Sequence, residues 1–227
     1  MNTSPHPISA DPVAGFQKLF MTVARYRHRH EVFRDFVAAF AISLHNGAGA
    51  PSPALEREYH EIMTRYERAD CERFSTLAAF VITALQPEPR DILGPIFMGL
   101  DLGNNWRGQF FTPHGISKMM AAIAQGNITE TIKGGGLASI SEPACGAGGM
   151  ILAAAGRVIE AGFDPAKTMR VHAVDTDRTA ALMCYIQCAL WNIPTTVVVG
   201  DSLTLEVRET WLTPALRNPI FRMGLQA

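Results

Sequence analysis

Ser139-Ile-Ser-Glu-Pro-Ala-Cys-Gly-Ala-Gly-Gly-Met150 decides how this chain is read. Leu137 to Ser141 is a short strand candidate, and the apolar run from Met150 to Ile159 suits a helix; the residues between them are small or glycine. Gly146, Gly148 and Gly149 remove the Cβ atoms that would hold a ligand off the backbone, and the first amides of the following helix point at whatever polar group lies there. A second strand candidate, Arg170 to Val174, runs into Asp175-Thr-Asp177, the position at which a doubly wound sheet sets an acid to accept from ribose hydroxyls. A third, Thr195 to Val199, is β-branched throughout and ends in Gly200-Asp201. Three strand ends thus carry Glu142, Asp175 and Asp201 to one edge, which is the layout of a nucleoside site.

The loop fits neither common phosphate motif. It opens on an acid and a proline instead of the glycines of a dinucleotide fingerprint, and no Gly-Lys-Ser or Gly-Lys-Thr occurs anywhere. Some thirty residues upstream stands Gly108-Gln-Phe-Phe-Thr-Pro113. With that segment the chain resembles the adenine-N6 DNA methyltransferases, most of all the methylation subunits of type I restriction-modification systems, over roughly Asp91 to Leu205. The resemblance implies an α/β fold: an S-adenosyl-L-methionine (AdoMet)-dependent, Rossmann-like methyltransferase sheet, shortened, behind a helical N-terminal region. It also implies a cofactor site. Gln109, Phe111 and Thr112 belong to the segment that caps the methionine end, while Glu142, Ala144 and Gly146 line the loop. Asp175 binds the ribose, Thr176 packs beside the adenine and Asp201 accepts from the adenine amino group. No metal is implied.

Transfer to adenine N6 needs a base outside the stack, held by acceptors for its amine and by an aromatic ring. The family does this with Asn/Asp-Pro-Pro-Tyr/Phe after its fourth strand, and the candidate here is Asn218-Pro-Ile-Phe221. Asn218, Pro219 and Phe221 match, whereas Ile220 replaces the second proline and Pro214 interrupts the preceding strand candidate. About three strands are secure in the sequence, where the family's sheet has seven. DNA, single strands included, is the implied substrate, and specificity is low or borrowed from a separate specificity subunit or a second copy. Two other readings stand beside this one: an AdoMet-binding relative that transfers nothing, and a helical interaction protein whose α/β part is a scaffold.

Composition suits an ordinary globular protein. Of 227 residues 48 % are hydrophobic and 18 % charged, and the formal net charge of -1 sets up no global field toward phosphate. With no apolar run of membrane-spanning length and no secretory signal pattern at Met1 to Pro12, the expectation is a cytoplasmic protein with no membrane partner. Cys184 and Cys188, one helical turn apart, read as a buried face, and Cys145 as a small residue in a tight turn. Residues 1–90 read as a helical region and 91–227 as the AdoMet-binding part. Helices are expected within Val13 to Leu44, over Pro53 to Arg68 and Phe74 to Leu85, then over Ile116 to Ala124, Met150 to Ala161 and Arg178 to Trp191. Arg25-Tyr-Arg-His-Arg-His30 with Arg34 is either a solvated helix face or a phosphate-neutralising patch.

Overall fold

The computed structural model describes residues 11–49, 51–100, 111–112 and 114–217, without the side chains of 124–127 and 217. Helices α1 (Pro12–Phe20), α2 (Arg29–Gly47), α3 (Pro53–Met63), α4 (Arg68–Leu85), α5 (Leu93–Gly99) and α6 (His114–Lys133) precede the first strand. Two of them start as their sequences dictate. Asp11 accepts from the amides of Val13 and Ala14 with Pro12 following, and Ser52 accepts from Leu55 with Pro53 following.

The run from Val13 to Leu44 breaks at a turn between α1 and α2, where Ala24 takes a positive φ of 40°. That strained residue is held from two sides. Its amide donates to Asp70 Oδ1 at 3.0 Å, and the Arg29 guanidinium donates to the carbonyls of Phe20 (3.2 Å), Val23 (2.6 Å) and Arg27 (3.0 Å), and to that of Ala24. Arg27 pairs with Glu31, and Arg34 with Asp35. Arg29 of the basic cluster is therefore an internal support for the turn, whereas Arg25, Tyr26, His28 and Arg34 are exposed, as a solvated face requires. Asp70 sits below the ordinary carboxylate range. Burial alone would raise it, but the Ala24 amide, Arg73 and Tyr26 together more than offset that. The helix expected over Pro53 to Arg68 also ends early, at Met63, and α4 begins at Arg68.

Beyond α6 the chain alternates: β1 (Ala138–Glu142), α7 (Gly149–Glu160), α8 (Pro165–Thr168), β2 (Met169–Asp175), α9 (Arg178–Leu190), β3 (Thr195–Asp201), β4 (Glu206–Leu212) and α10 (Pro214–Arg217). The sheet order is β1-β2-β3-β4; the first two pairings are parallel and the last antiparallel. The described residues thus add one strand to the three that are secure in the sequence. β4 reads poorly in sequence because it is an edge strand: Glu206, Val207 and Arg208 are exposed, and Trp211 is the buried member. Gly200 is required by this pairing, since a Cβ there would lie 2.1 Å from the Glu206 carbonyl oxygen.

Helix α9 is the centre of the molecule. Every residue from Thr179 to Ala189 is buried, as a helix apolar on all sides must be. It packs on β2 and β3 and, on its other side, on α2, so one continuous hydrophobic core runs from Phe16 through Tyr185 to Trp211. An Arg178 clamp reinforces that junction: its guanidinium meets Glu58 of α3 at 2.8 Å and Glu209 of β4 at 2.7 Å. Glu209 also accepts from Trp211 Nε1 at 3.0 Å. Among the described residues no helix is long and apolar enough to cross a membrane.

Candidate functional site

The register of the parallel strands decides where the three acids stand. Glu142 pairs with Ala173 and Asp175 with Val199, so Asp175 lies two residues beyond the partner of Glu142, and Asp201 two beyond the partner of Asp175. Side chains alternate along a strand, so steps of two keep all three carboxyls on one face of the sheet, staggered along its C-terminal edge. On that same face Val171, Ala173, Val197 and Val199 are buried further down the strands.

The loop after β1 is tied to the end of β2. Cys145 donates its amide to the Val174 carbonyl at 2.8 Å, and Gly146 donates to Asp175 Oδ2 at 2.8 Å. The other Asp175 oxygen accepts from the Asp177 amide at 2.8 Å. Asp177 in turn caps α9 by accepting from Ala180. Asp175 is thus anchored through both oxygens while each keeps a lone pair for a ligand hydroxyl. Burial pushes its pKa upward, against the pull of the Asp177 and Gly146 amides; burial raises Glu142 too, with the Ala144 amide pulling it back.

Glycine is needed where the loop turns inward. Gly146 has φ 52° and Gly148 φ 91°, and a Cβ on Gly146 would come within 3.1 Å of the Phe111 ring. Phe111 therefore lies over the loop, and Phe97 of α5 meets its ring edge-on at a centroid distance of 5.6 Å. Thr112 and Thr176 are exposed, as is Ala144. Arg208 of β4 donates to the Thr176 carbonyl at 2.7 Å, steadying the segment after β2. Asp201 Oδ1 accepts from Leu203 (2.8 Å) and Thr204 (3.3 Å), so part of its acceptor capacity already closes the β3–β4 turn.

Phe111, Glu142, Gly146 and Asp175 are accordingly gathered around one loop, with Ala144 and Thr176 at its rim and Asp201 two strands from β1. Gln109 and the catalytic candidates Asn218, Pro219 and Phe221 lie outside the described residues. The last described residue, Arg217, ends α10, which follows Thr213; the Thr213 amide donates to the Thr195 carbonyl at 3.0 Å, at the start of β3. That is the end of the sheet opposite the three acids.

The sequence alone singled out neither Arg208 nor Gln187, and it assigned Asp91 no role of its own. For Gln187 a signal did exist: a lone amide inside the apolar stretch Tyr185-Ile-Gln-Cys-Ala189. Among the described residues no group of three or more His, Cys, Asp or Glu side chains could hold a metal ion. The three buried thiols Cys145, Cys184 and Cys188 form no disulfide, and Cys184 and Cys188 stand 4.0 Å apart.

A family model described as N-6 DNA Methylase matches residues 101–220, more than half of the chain. No curated protein and no solved structure matches it.

Proposed function

The chain belongs to the N-6 DNA methylase family, and from that premise we propose that it binds AdoMet at the loop between β1 and α7 and methylates adenine N6 in DNA. The observation that carries the reading is Asp175: a carboxylate at a strand end, locked by two backbone amides, beside a glycine turn roofed by Phe111. In this reading Asp175 takes the ribose hydroxyls, the bare backbone at Gly146 admits the methionine part, and Glu142 and Ala144 line its side, with Gln109 and Thr112 in the capping segment. Thr176 and Asp201 serve the adenine. AdoMet supplies an activated methyl group; the chain's own residues bind, orient and exclude water. The helical region 1–90 and the AdoMet-binding part 91–227 are two parts of one cytoplasmic protein, partnered by a specificity subunit or a second copy.

The test is to incubate the purified chain with methyl-labelled AdoMet and single- or double-stranded DNA, with adenine-free DNA alongside. Label on adenine-containing DNA alone supports the proposal; label on both kinds of DNA overturns the adenine assignment. A second reading, cofactor binding without transfer, is favoured by one observation: Ile220 stands where the family's motif has its second proline. Binding of S-adenosylhomocysteine with no incorporation is its signature. Absence of binding as well leaves the scaffold reading.

A further inference from the structure

Gln187 lies in the middle of α9 with 0 % of its surface exposed, and its amide makes every hydrogen bond an amide can make. Oε1 accepts from the backbone amides of Ile92 (2.7 Å) and Leu93 (3.2 Å). Nε2 donates to Asp91 Oδ1 at 3.0 Å and to the Ala147 carbonyl at 2.7 Å. Asp91 Oδ1 accepts a second bond, from Gly94 at 2.8 Å. One side chain thereby joins the start of α5, the middle of α9 and the inner side of the glycine loop.

Its hold on the loop falls at a sensitive place. Ala147 sits between Gly146 and Gly148, both at positive φ, where the backbone has the widest choice of conformations. Fixing the Ala147 carbonyl inward fixes the plane of the peptide it shares with Gly148, whose amide closes onto the Cys145 carbonyl at 2.8 Å. The Gly146 amide that locks Asp175 belongs to the same short turn. We propose that Gln187 is a positioning residue for the ligand loop: it selects the loop conformation that presents Gly146 and Asp175, while Asp91 and the first amides of α5 hold Gln187 in place. The proposal rests on the AdoMet reading for its ligand but not for its geometry.

The test uses the full chain and three variants. Gln187→Met keeps the volume and removes all four bonds; Gln187→Glu keeps the acceptor toward Ile92 and Leu93 but donates to the loop only when protonated. Leu77→Ala, in the core of the helical part, is a control for general loss of stability. Calorimetry with S-adenosylhomocysteine is expected to show affinity about tenfold or more weaker in Gln187→Met. In Leu77→Ala it stays within about twofold, despite a comparable fall in melting temperature.

For Gln187→Glu the deficit relative to wild type should shrink as pH falls. The groups that act there are Asp91, in contact and itself raised by burial, and His114 at the start of α6, which pulls Asp91 down. Hydrogen exchange at Gly146 and Gly148 gives a readout that needs no ligand, and both Gln187 variants should exchange there about tenfold faster while α7 is unchanged. Wild-type binding with undiminished affinity in Gln187→Met, or unchanged exchange in both variants, overturns the proposal. A wild type that binds no S-adenosylhomocysteine, yet shows the exchange difference, sinks the AdoMet reading and leaves the positioning role standing.

Discussion

Asp175 and Asp91 are both carboxyls raised by burial, yet they make different predictions. Asp175→Ala removes the acceptor for ligand hydroxyls and strands the Gly146 and Asp177 amides, so S-adenosylhomocysteine binding should weaken by about 1 to 3 kcal/mol. Ligand hydroxyls favour the ionised form, which makes the carboxyl's pKa higher in the free protein than in the complex. Affinity should therefore be full above the free-state pKa and fall as pH drops through it, measurable by calorimetry across the acid range. An unchanged affinity in the mutant refutes the ribose assignment. Asp91 acts on stability instead. Its folded pKa lies above its unfolded one, so the folded state binds the proton more readily; its contribution is full below the unfolded value and lost as pH rises through the folded value. Asp91→Asn keeps an acceptor for Gly94 and Gln187 and has no proton to lose. Urea midpoints should show it gaining on wild type as pH rises through that window, and a difference independent of pH would contradict the argument.

At the scale of elements, two glycines are set by what approaches them. Gly200 faces the Glu206 carbonyl across the β3–β4 pairing, so Gly200→Ala must push the strands apart and should cost at least about 2 kcal/mol in chemical unfolding. Gly148 has φ 91°, and a Cβ there would lie 3.0 Å from Cys184 Sγ. Gly148→Ala should cost about 1 to 3 kcal/mol in strain and also weaken ligand binding, since the strain falls on the loop itself. Equal stability of wild type and either variant would show that the close approach is not maintained in solution.

For the whole molecule, the question is how firmly the helical part is joined to the sheet. The junction from Asp91 to Gly94 is buried, and α2 lies along α9. Trypsin should therefore cut after Arg25, exposed in the α1–α2 turn, well before it cuts after Arg90. Early cleavage at Arg90 into two stable pieces would argue for independent domains. Arg178→Met should lower stability by about 1 to 2 kcal/mol, because it disconnects Glu58 and Glu209 while all three side chains remain about one-third exposed and hydrated. A urea midpoint equal to that of wild type would reduce the clamp to a surface contact.

What the sequence determined by itself was local. The strand-loop-helix turn at Glu142 to Gly149, the acids at the ends of β2 and β3, and the start of α3 at Pro53 were legible because each depends on backbone preferences a few residues wide. The periodicity of Ile116, Met119, Met120 and Ile123 likewise revealed a helix, but those side chains are 46 %, 59 %, 47 % and 79 % exposed, since a stripe names a face and not its partner. Tertiary structure alone decided the rest. β4 exists because β3 offers it an edge, Arg29 is an internal cap because the α1–α2 turn points its carbonyls inward, and Gln187 reaches across 95 residues of chain to the amide of Ile92. Each of these depends on which groups the fold desolvates together, and a buried polar group must find its partner wherever in the sequence that partner lies.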